Sequence, residues 1–198
     1  MVFSASVRRM AAVVSGLGHP LVTATAFAAF MAGRRLQGAA AAWVLGSVVA
    51  LTLFISLWSL WQTRRGVYSN FDVSQRAQRR SFYPVLLGGV GLATAALFWQ
   101  PVGQFRYGLL AVWLQLLLCY GLNFWLKVSL HAALSFFLAY AVLHLHVGWG
   151  LLALGIATLI AASRLVLQRH TVPELVVGTL MGLLAGAGLV WLLPHLAA

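Results

Sequence analysis

The fold class follows from one stretch of the chain, Leu36–Thr63, which reads LQGAAAAWVLGSVVALTLFISLWSLWQT. It has no charged residue and exceeds the roughly 20 apolar residues that cross a bilayer as a helix. A second uncharged stretch, Leu175–Ala198, is also long enough. The 198-residue chain is 62% hydrophobic, with a mean hydropathy of +0.94. The sequence therefore predicts an all-α, polytopic transmembrane helical bundle.

Hydropathy divides the chain into candidate spans at about residues 11–32, 39–62, 82–99, 107–126, 128–147, 149–166 and 171–193. Gly18-His19-Pro20 interrupts the first of them, so this segment is partly interfacial or a kinked span. The uncharged stretch 128–163 is too long for one crossing, and we divide it at the turn signal Gly148-Trp149-Gly150. We expect six to seven spans in a single integral-membrane domain, residues 1–198, with a motif-bearing core at about 68–193.

The basic residues are distributed unevenly between the two predicted sides. Seven crossings place ten of them on one side: Arg8, Arg9, Arg64, Arg65, Arg76, Arg79, Arg80, Lys127, Arg164 and Arg169. The other side has three: Arg34, Arg35 and Arg106. Because basic loops are retained in the cytoplasm, we expect the crowded side to face it, in a bacterial or archaeal cytoplasmic membrane.

The net charge of +11 is better explained by a membrane than by nucleic acid. The arginines lie mainly between hydrophobic runs, where they orient the chain and contact anionic lipid head groups. The run Met10–Gly33 after Arg8-Arg9 is too long for a cleaved signal peptide, and we interpret it as a signal anchor. Cys119 is the sole cysteine, so the chain forms no internal disulfide. The sequence does not indicate an oligomeric state.

Asp72 and Glu174 are the only acidic residues, and both lie in polar segments. Since a charge is costly in lipid, a carboxylate kept in so apolar a chain indicates function. We name the segments first (68–80), second (127–131) and third (163–174). All three fall on the same side of the predicted topology, which favours a single site.

The third segment contains His170 and Glu174, which share a face at the start of a helix. A carboxylate that bonds one imidazole nitrogen fixes the tautomer and leaves the other nitrogen to act as a nucleophile. A structural His–Glu pair that closes a helix N-terminus fits the spacing equally well. A ridge of small residues at the same four-residue spacing, Gly178, Gly182 and Gly186, predicts close packing of this last helix.

The other two segments are suited to an anion. Lys127, Ser129 and His131 can hold an oxyanion and donate a proton, although a snorkelling lysine and a capping serine explain the first two. Arg76 and Arg79 offer guanidinium groups that match phosphate oxygens, and lipid head groups are the alternative ligands.

Together the three segments resemble the signatures of the type 2 phosphatidic acid phosphatase (PAP2) family. Ser-Arg-x5-His-x3-Glu at 163–174 resembles the third signature, Ser-Arg-x5-His-x3-Asp, and is the specific match. Ser-Leu-His at 129–131 resembles the second, Pro-Ser-Gly-His. Arg79 falls where the first, Lys-x6-Arg-Pro, has its arginine. The resemblance covers about residues 68–180, and it implies a similar helical core.

Five residues depart from the family pattern. Asp72 stands in place of the first-signature lysine, and Arg80 replaces the proline that follows the arginine. Val128 and Leu130 replace the proline and glycine of the second signature. Glu174 replaces an aspartate and keeps its chemistry. The departures describe a divergent, membrane-embedded branch.

The resemblance implies a lipid phosphate or diphosphate phosphatase that requires no metal or other cofactor. His170 would attack phosphorus and form a phosphohistidine, Glu174 would orient His170, and His131 would protonate the leaving group. The residues expected to bind the substrate phosphate are Arg79, Lys127, Ser129, Arg164 and Arg76. Isoprenoid phosphates or diphosphates and glycerolipid phosphates are the expected substrates.

Two alternatives remain open. A lipid-linked phosphotransferase would pass through the same phosphohistidine and use a hydroxyl in place of water. A non-enzymatic membrane transporter or assembly subunit would use the polar segments to bind anionic lipid.

Overall fold

The structure, a computed structural model, describes residues 3–196. Within that range the regular structure is entirely helical and contains no strand. Its eight helices are α1 (Ala5–Leu17), α2 (Pro20–Arg35), α3 (Gly38–Arg64), α4 (Arg76–Phe98), α5 (Phe105–Leu122), α6 (Leu130–Leu145), α7 (Val147–Val166) and α8 (Val172–Leu196).

Among residues 3–196, five helices are long and apolar enough to cross a membrane: α3, α4, α5, α7 and α8. The pair α1 and α2 passes the same test only when taken together, and it bends by 46° at its break. Helix α6 is apolar but has 16 residues, about 24 Å, less than the ~30 Å hydrocarbon core. By length and composition the helices indicate an integral membrane protein with five spans, or six if the bent pair is one span. The predicted span 128–147 falls short of this test because α6 has only 16 residues.

The predicted first span, 11–32, is broken into α1 and α2 at Gly18 and His19. The imidazole of His19 explains the break, because its Nδ1 accepts a hydrogen bond from the Leu21 N–H at 3.2 Å. It thereby satisfies an amide that has no partner within the first turn of α2. Pro20 follows at the first helical position, where its missing N–H costs nothing.

Helix α4 begins at Arg76, six residues before the predicted span 82–99. The predicted spans leave 63–81 as a loop, and the last part of this interval is helical instead. Arg, Ala and Gln favour a helix, so the polar stretch 76–81 extends the apolar helix by more than a turn. As a result Arg76 and Arg79 lie on the first turns of α4.

The predicted break between the fifth and sixth spans is displaced to His146, which has extended backbone angles of φ −158° and ψ 114°. The His146 Nδ1 accepts a hydrogen bond from the Trp149 N–H at 3.4 Å and so caps α7. Gly150 then lies inside α7, where a Cβ would be 2.1 Å from the Leu143 Cα. The glycine allows close approach of α6 and α7 and is not part of the turn.

The chain forms two compact units. Unit 1 combines residues 1–24 with 126–198, and unit 2 covers residues 25–125. In unit 1, α6 packs against both α7 and α8, and α1 packs against α7. In unit 2, α4 packs against α3 and α5.

The small-residue ridge of α8 packs closely against α6, as its spacing predicted. A Cβ on Gly178 would lie 2.7 Å from the Ser129 carbonyl oxygen, and one on Gly182 would lie 2.3 Å from the Ala133 carbonyl oxygen. Atoms cannot approach so closely, so only glycine permits this backbone contact. The ridge therefore fixes the start of α8 beside the start of α6.

Candidate active site

Three helix ends of unit 1 meet: the beginning of α6, the end of α7 and the beginning of α8. The Ser129 N–H donates to the Glu174 carbonyl oxygen at 3.2 Å, which joins α6 to α8. The Lys127 Nζ donates to the Arg169 carbonyl oxygen at 2.7 Å, which joins the segment before α6 to the α7–α8 turn. Unit 1 contains most of the predicted site residues, namely His170, His131, Glu174, Lys127, Ser129 and Arg164.

Three nitrogen atoms contact the same carboxylate oxygen of Glu174. Its Oε2 lies 2.8 Å from the His170 Nδ1 and accepts a hydrogen bond from the Thr171 N–H at 3.1 Å. The Lys127 Nζ lies 3.6 Å from the same oxygen. The carboxylate is 13% exposed and the lysine side chain 17%, so their attraction is only partly screened by solvent.

The Glu174 carboxylate determines the tautomer of His170. An ionised carboxylate can only accept hydrogen bonds, so the proton between the two side chains lies on Nδ1 of the imidazole. The nitrogen with a lone pair suited to attack is then Nε2. The His170 side chain is 1% exposed, and this burial together with the carboxylate fixes the plane of its ring.

Glu174 is also a helix cap. It is the third residue of α8, and its bond to the Thr171 N–H is one half of a capping box. A carboxylate at this position also interacts favourably with the helix dipole. One side chain thus makes both the contact with His170 and the helix cap, while the role of His170 as a nucleophile remains a prediction.

The start of α6 presents Ser129 and His131. Ser129 is buried and is the N-cap of α6, because its Oγ accepts a hydrogen bond from the Ala132 N–H at 3.4 Å. The capping role expected as an alternative is therefore present, and the hydroxyl proton can still be donated to a ligand. His131 is buried in the first turn, and its ring lies edge to face with that of His19, with centroids 5.1 Å apart.

Two arginines lie at the end of α7 and in the turn after it. Arg164 is 1% exposed, and its Nη1 donates a hydrogen bond to the Ser15 Oγ of α1. The Nη1 of Arg169 is buried and has no hydrogen-bond partner within the described range 3–196. A buried donor of this kind is costly unless a ligand accepts from it, so Arg169 is a candidate anion ligand. From the sequence, Arg169 is expected only to contribute to membrane topology, although it directly precedes His170.

The other predicted phosphate ligands, Arg76 and Arg79, belong to unit 2. Arg79 is 3% exposed, and its Nε donates to the Val73 carbonyl oxygen at 3.0 Å. Arg76 is exposed, and its Nη1 donates to the Trp125 carbonyl oxygen at 2.7 Å, which ties the start of α4 to the segment after α5. Their part in binding phosphate remains a prediction from the sequence.

The turn before α4 holds an unusual backbone conformation. Val73 has a φ of +47°, a region that β-branched residues rarely adopt. The Val73 N–H donates to the Asn70 carbonyl oxygen, and the Asn70 side chain bonds Ser74 through both its oxygen and its nitrogen. This turn, which includes the half-buried Asp72, presents the Val73 carbonyl to Arg79. Backbone strain of this kind is concentrated at functional sites.

The contacts of α1 were not predicted. Ser15 and His19 lie far from the three polar segments in sequence, and no motif spacing includes them. The sequence indicates His19 only as part of the interruption of the first span. Their contacts with Arg164 and His131 arise from tertiary packing within unit 1, which a local pattern does not contain.

Comparison of the chain with protein-family models, curated proteins and solved structures finds no match. The resemblance to the phosphatase family therefore rests on the motif residues alone.

Substitution of Glu174 tests its role as the cap of α8. Glu174→Ala removes the cap of α8 and leaves Lys127 without this carboxylate, so we expect a loss of about 1–3 kcal/mol in stability. Glu174→Gln retains an oxygen that accepts from the Thr171 N–H, so its loss of stability should be smaller. Thermal unfolding of each purified variant in detergent measures the two losses. An alanine variant as stable as the parent would contradict the capping role.

Proposed function

We propose that this protein is an integral-membrane phosphatase that removes phosphate from lipid mono- or diphosphates through a phosphohistidine at His170. The observation that supports this proposal best is the 2.8 Å contact between the His170 Nδ1 and the Glu174 Oε2. A buried imidazole whose Nδ1 is bound by a carboxylate is suited to nucleophilic attack through Nε2. The purely structural explanation accounts for the cap but does not require a buried histidine beside it.

The proposed reaction has two steps. In the first, the His170 Nε2 attacks phosphorus, the bond from phosphorus to the leaving oxygen breaks, and His131 donates a proton to that oxygen. In the second, water attacks the phosphohistidine, the phosphorus–nitrogen bond breaks, and His131 accepts the proton of the water. Glu174 keeps the proton on Nδ1 throughout and stabilises the positive charge that the ring acquires.

Cationic and hydroxyl groups would stabilise the charge on the phosphoryl oxygens. In unit 1 the groups proposed for this part are Lys127, Ser129 and Arg164, with Arg169 added because of its buried Nη1. Arg79 and Arg76 are proposed from their place in the sequence. Lys127 would act on the phosphate while its Nζ remains near Glu174, since an ammonium group has three donors.

The apolar helices around the site are suited to a lipid substrate. On α8, Val172, Val176, Leu180 and Leu184 are exposed at four-residue intervals. They are two positions away from Glu174, Gly178 and Gly182, so they form the face of α8 opposite to the one that packs against α6, and this face is suited to contact with surrounding lipid. We propose that the substrate reaches the site from the membrane, with its phosphate at the polar helix ends and its tail in the apolar region. Isoprenoid and glycerolipid phosphates both have the required form.

Phosphate release from a lipid phosphate panel tests the proposal. The full-length protein, purified in detergent, would be supplied with a diacylglycerol phosphate, a prenyl phosphate and a prenyl diphosphate. We expect release from at least one, and a loss of about 10³-fold or more in His170→Ala, which lacks the nucleophile.

His144→Ala is the matched control, because His144 is an exposed histidine at the other end of α6. It should retain the parent activity. No turnover by the parent, or equal activity in His170→Ala, would contradict the hydrolase and favour a lipid-binding subunit. Transfer of phosphate to an added alcohol in place of release would reassign the protein as a phosphotransferase.

We further propose that α6 also crosses the membrane, because its start meets the end of α7, and that the site faces the cytoplasm, on the basis of the ten-to-three distribution of basic residues that seven crossings give. Single cysteines test this directly, since the native Cys119 is buried and should react poorly. Trp125→Cys lies just before Lys127, and Val147→Cys lies at the other end of α6; both native side chains are exposed. A membrane-impermeant maleimide should label position 125 only after permeabilisation and position 147 in intact cells. Labelling of position 125 in intact cells would overturn the placement.

A further inference from the structure

The C-terminal end of α1 and the break that follows it contact two of the proposed site residues in unit 1. The Ser15 Oγ accepts a hydrogen bond from the Arg164 Nη1, although 149 positions separate the two residues. Four residues after Ser15, the His19 ring lies against the His131 ring. The resemblance to the phosphatase family assigns no role to Ser15 or His19.

A close helix contact holds this part of α1 in place. A Cβ on Gly18 would lie 2.4 Å from the Ile160 Cγ1, so a larger residue would displace α1 from α7. Gly18 has an ordinary φ of −82°, and the glycine is therefore required by space and not by backbone conformation. Ser15 pairs with Arg164 and Gly18 with Ile160, so α1 runs antiparallel to α7.

The His19 ring is fixed independently of His131. Its Nδ1 accepts from the Leu21 N–H at 3.2 Å, and its carbonyl oxygen accepts from the Thr23 N–H at 3.0 Å. The ring planes of His19 and His131 meet at 87°. The χ2 angle of a histidine has a broad energy minimum, so a neighbouring ring is an effective way to select one orientation.

We propose that Ser15 and His19 are positioning residues of the site. His19 sets the ring orientation of His131, which is the proposed general acid. Ser15 sets the orientation of the guanidinium group of Arg164, which is a proposed phosphate ligand. Arginine has many rotamers, and a fixed acceptor on α1 restricts them before substrate binds. This inference rests on the proposed phosphatase function and extends it to a helix outside the motif-bearing segments.

The dependence of rate on the leaving group tests the role of His19. An alkoxide needs a proton from the general acid, whereas 4-nitrophenolate leaves readily without one. His19→Leu fills similar space without an aromatic ring. We expect it to lower kcat about 10- to 100-fold with a long-chain alkyl phosphate and by less than about threefold with 4-nitrophenyl phosphate.

His19→Phe is the matched rescue, because it restores a ring but not the Nδ1 acceptor. We expect it to recover most of the activity with the alkyl phosphate. Equal losses with both substrates, or a His19→Phe variant no better than His19→Leu, would overturn the positioning role of the ring. A merely structural role would reduce the amount of active protein and lower both rates together.

The role of Ser15 is tested by the affinity for inorganic phosphate, measured as competitive inhibition. Ser15→Ala should raise the inhibition constant about tenfold, while Ser15→Thr, which keeps the hydroxyl, should restore it. Gly16→Ala on the same helix is the control, since no atom lies within 4 Å of the added Cβ. An unchanged inhibition constant in Ser15→Ala would contradict the assignment.

These outcomes are separate from those that test the proposed function. If His170→Ala retains activity, the phosphatase itself is wrong. If His170→Ala is inactive and the His19 and Ser15 variants behave like the parent, the phosphatase stands and the positioning role of α1 is wrong.

Discussion

The site of unit 1 depends on one carboxylate oxygen, the Oε2 of Glu174. It bonds the imidazole of His170, closes the first turn of α8 and lies beside the ammonium group of Lys127. Burial of a carboxylate in an apolar bundle costs free energy. Several hydrogen-bond donors and a nearby cation offset this cost better than one partner would. The same interaction that stabilises the start of α8 therefore sets the tautomer of the histidine, so structure and proposed chemistry cannot be varied independently.

The apolar scaffold makes this interaction strong. Solvent screening is weak at a site where His170, Ser129 and Arg164 are buried, so each hydrogen bond contributes more than it would at a surface. The glycine ridge of α8 brings the Glu174 backbone to the Ser129 N–H, and no larger side chain would permit that approach. The contacts of α1 with α7 hold Arg164 in place within unit 1. The polar groups are thus held by backbone packing and not by flexible loops.

The sequence predicted the helical class and the positions of the apolar segments, because hydropathy over ~20 residues is a strong signal. It also predicted the shared face of His170 and Glu174, which follows from helix geometry alone. It indicated the interruption at His19 but placed two helix starts wrongly: that of α7, which His146 caps, and that of α4, which begins at Arg76 without a side-chain cap. The cap of α7 depends on a single hydrogen bond, and the polar first turns of α4 lower its hydropathy, so a hydropathy profile records neither start. The contacts of Ser15 and Arg169 depend on tertiary packing, so no spacing rule could have found them.

Rapid-quench trapping tests the central claim, that His170 is a nucleophile oriented by Glu174. The purified protein would be mixed with a lipid phosphate carrying a radioactive phosphoryl group, quenched in alkali, and mapped by mass spectrometry. We expect an acid-labile, alkali-stable phosphoryl group on the peptide that contains His170, absent from His170→Ala and reduced in Glu174→Gln. A label on another residue, or turnover of the substrate with no trapped label at any time point, would contradict it.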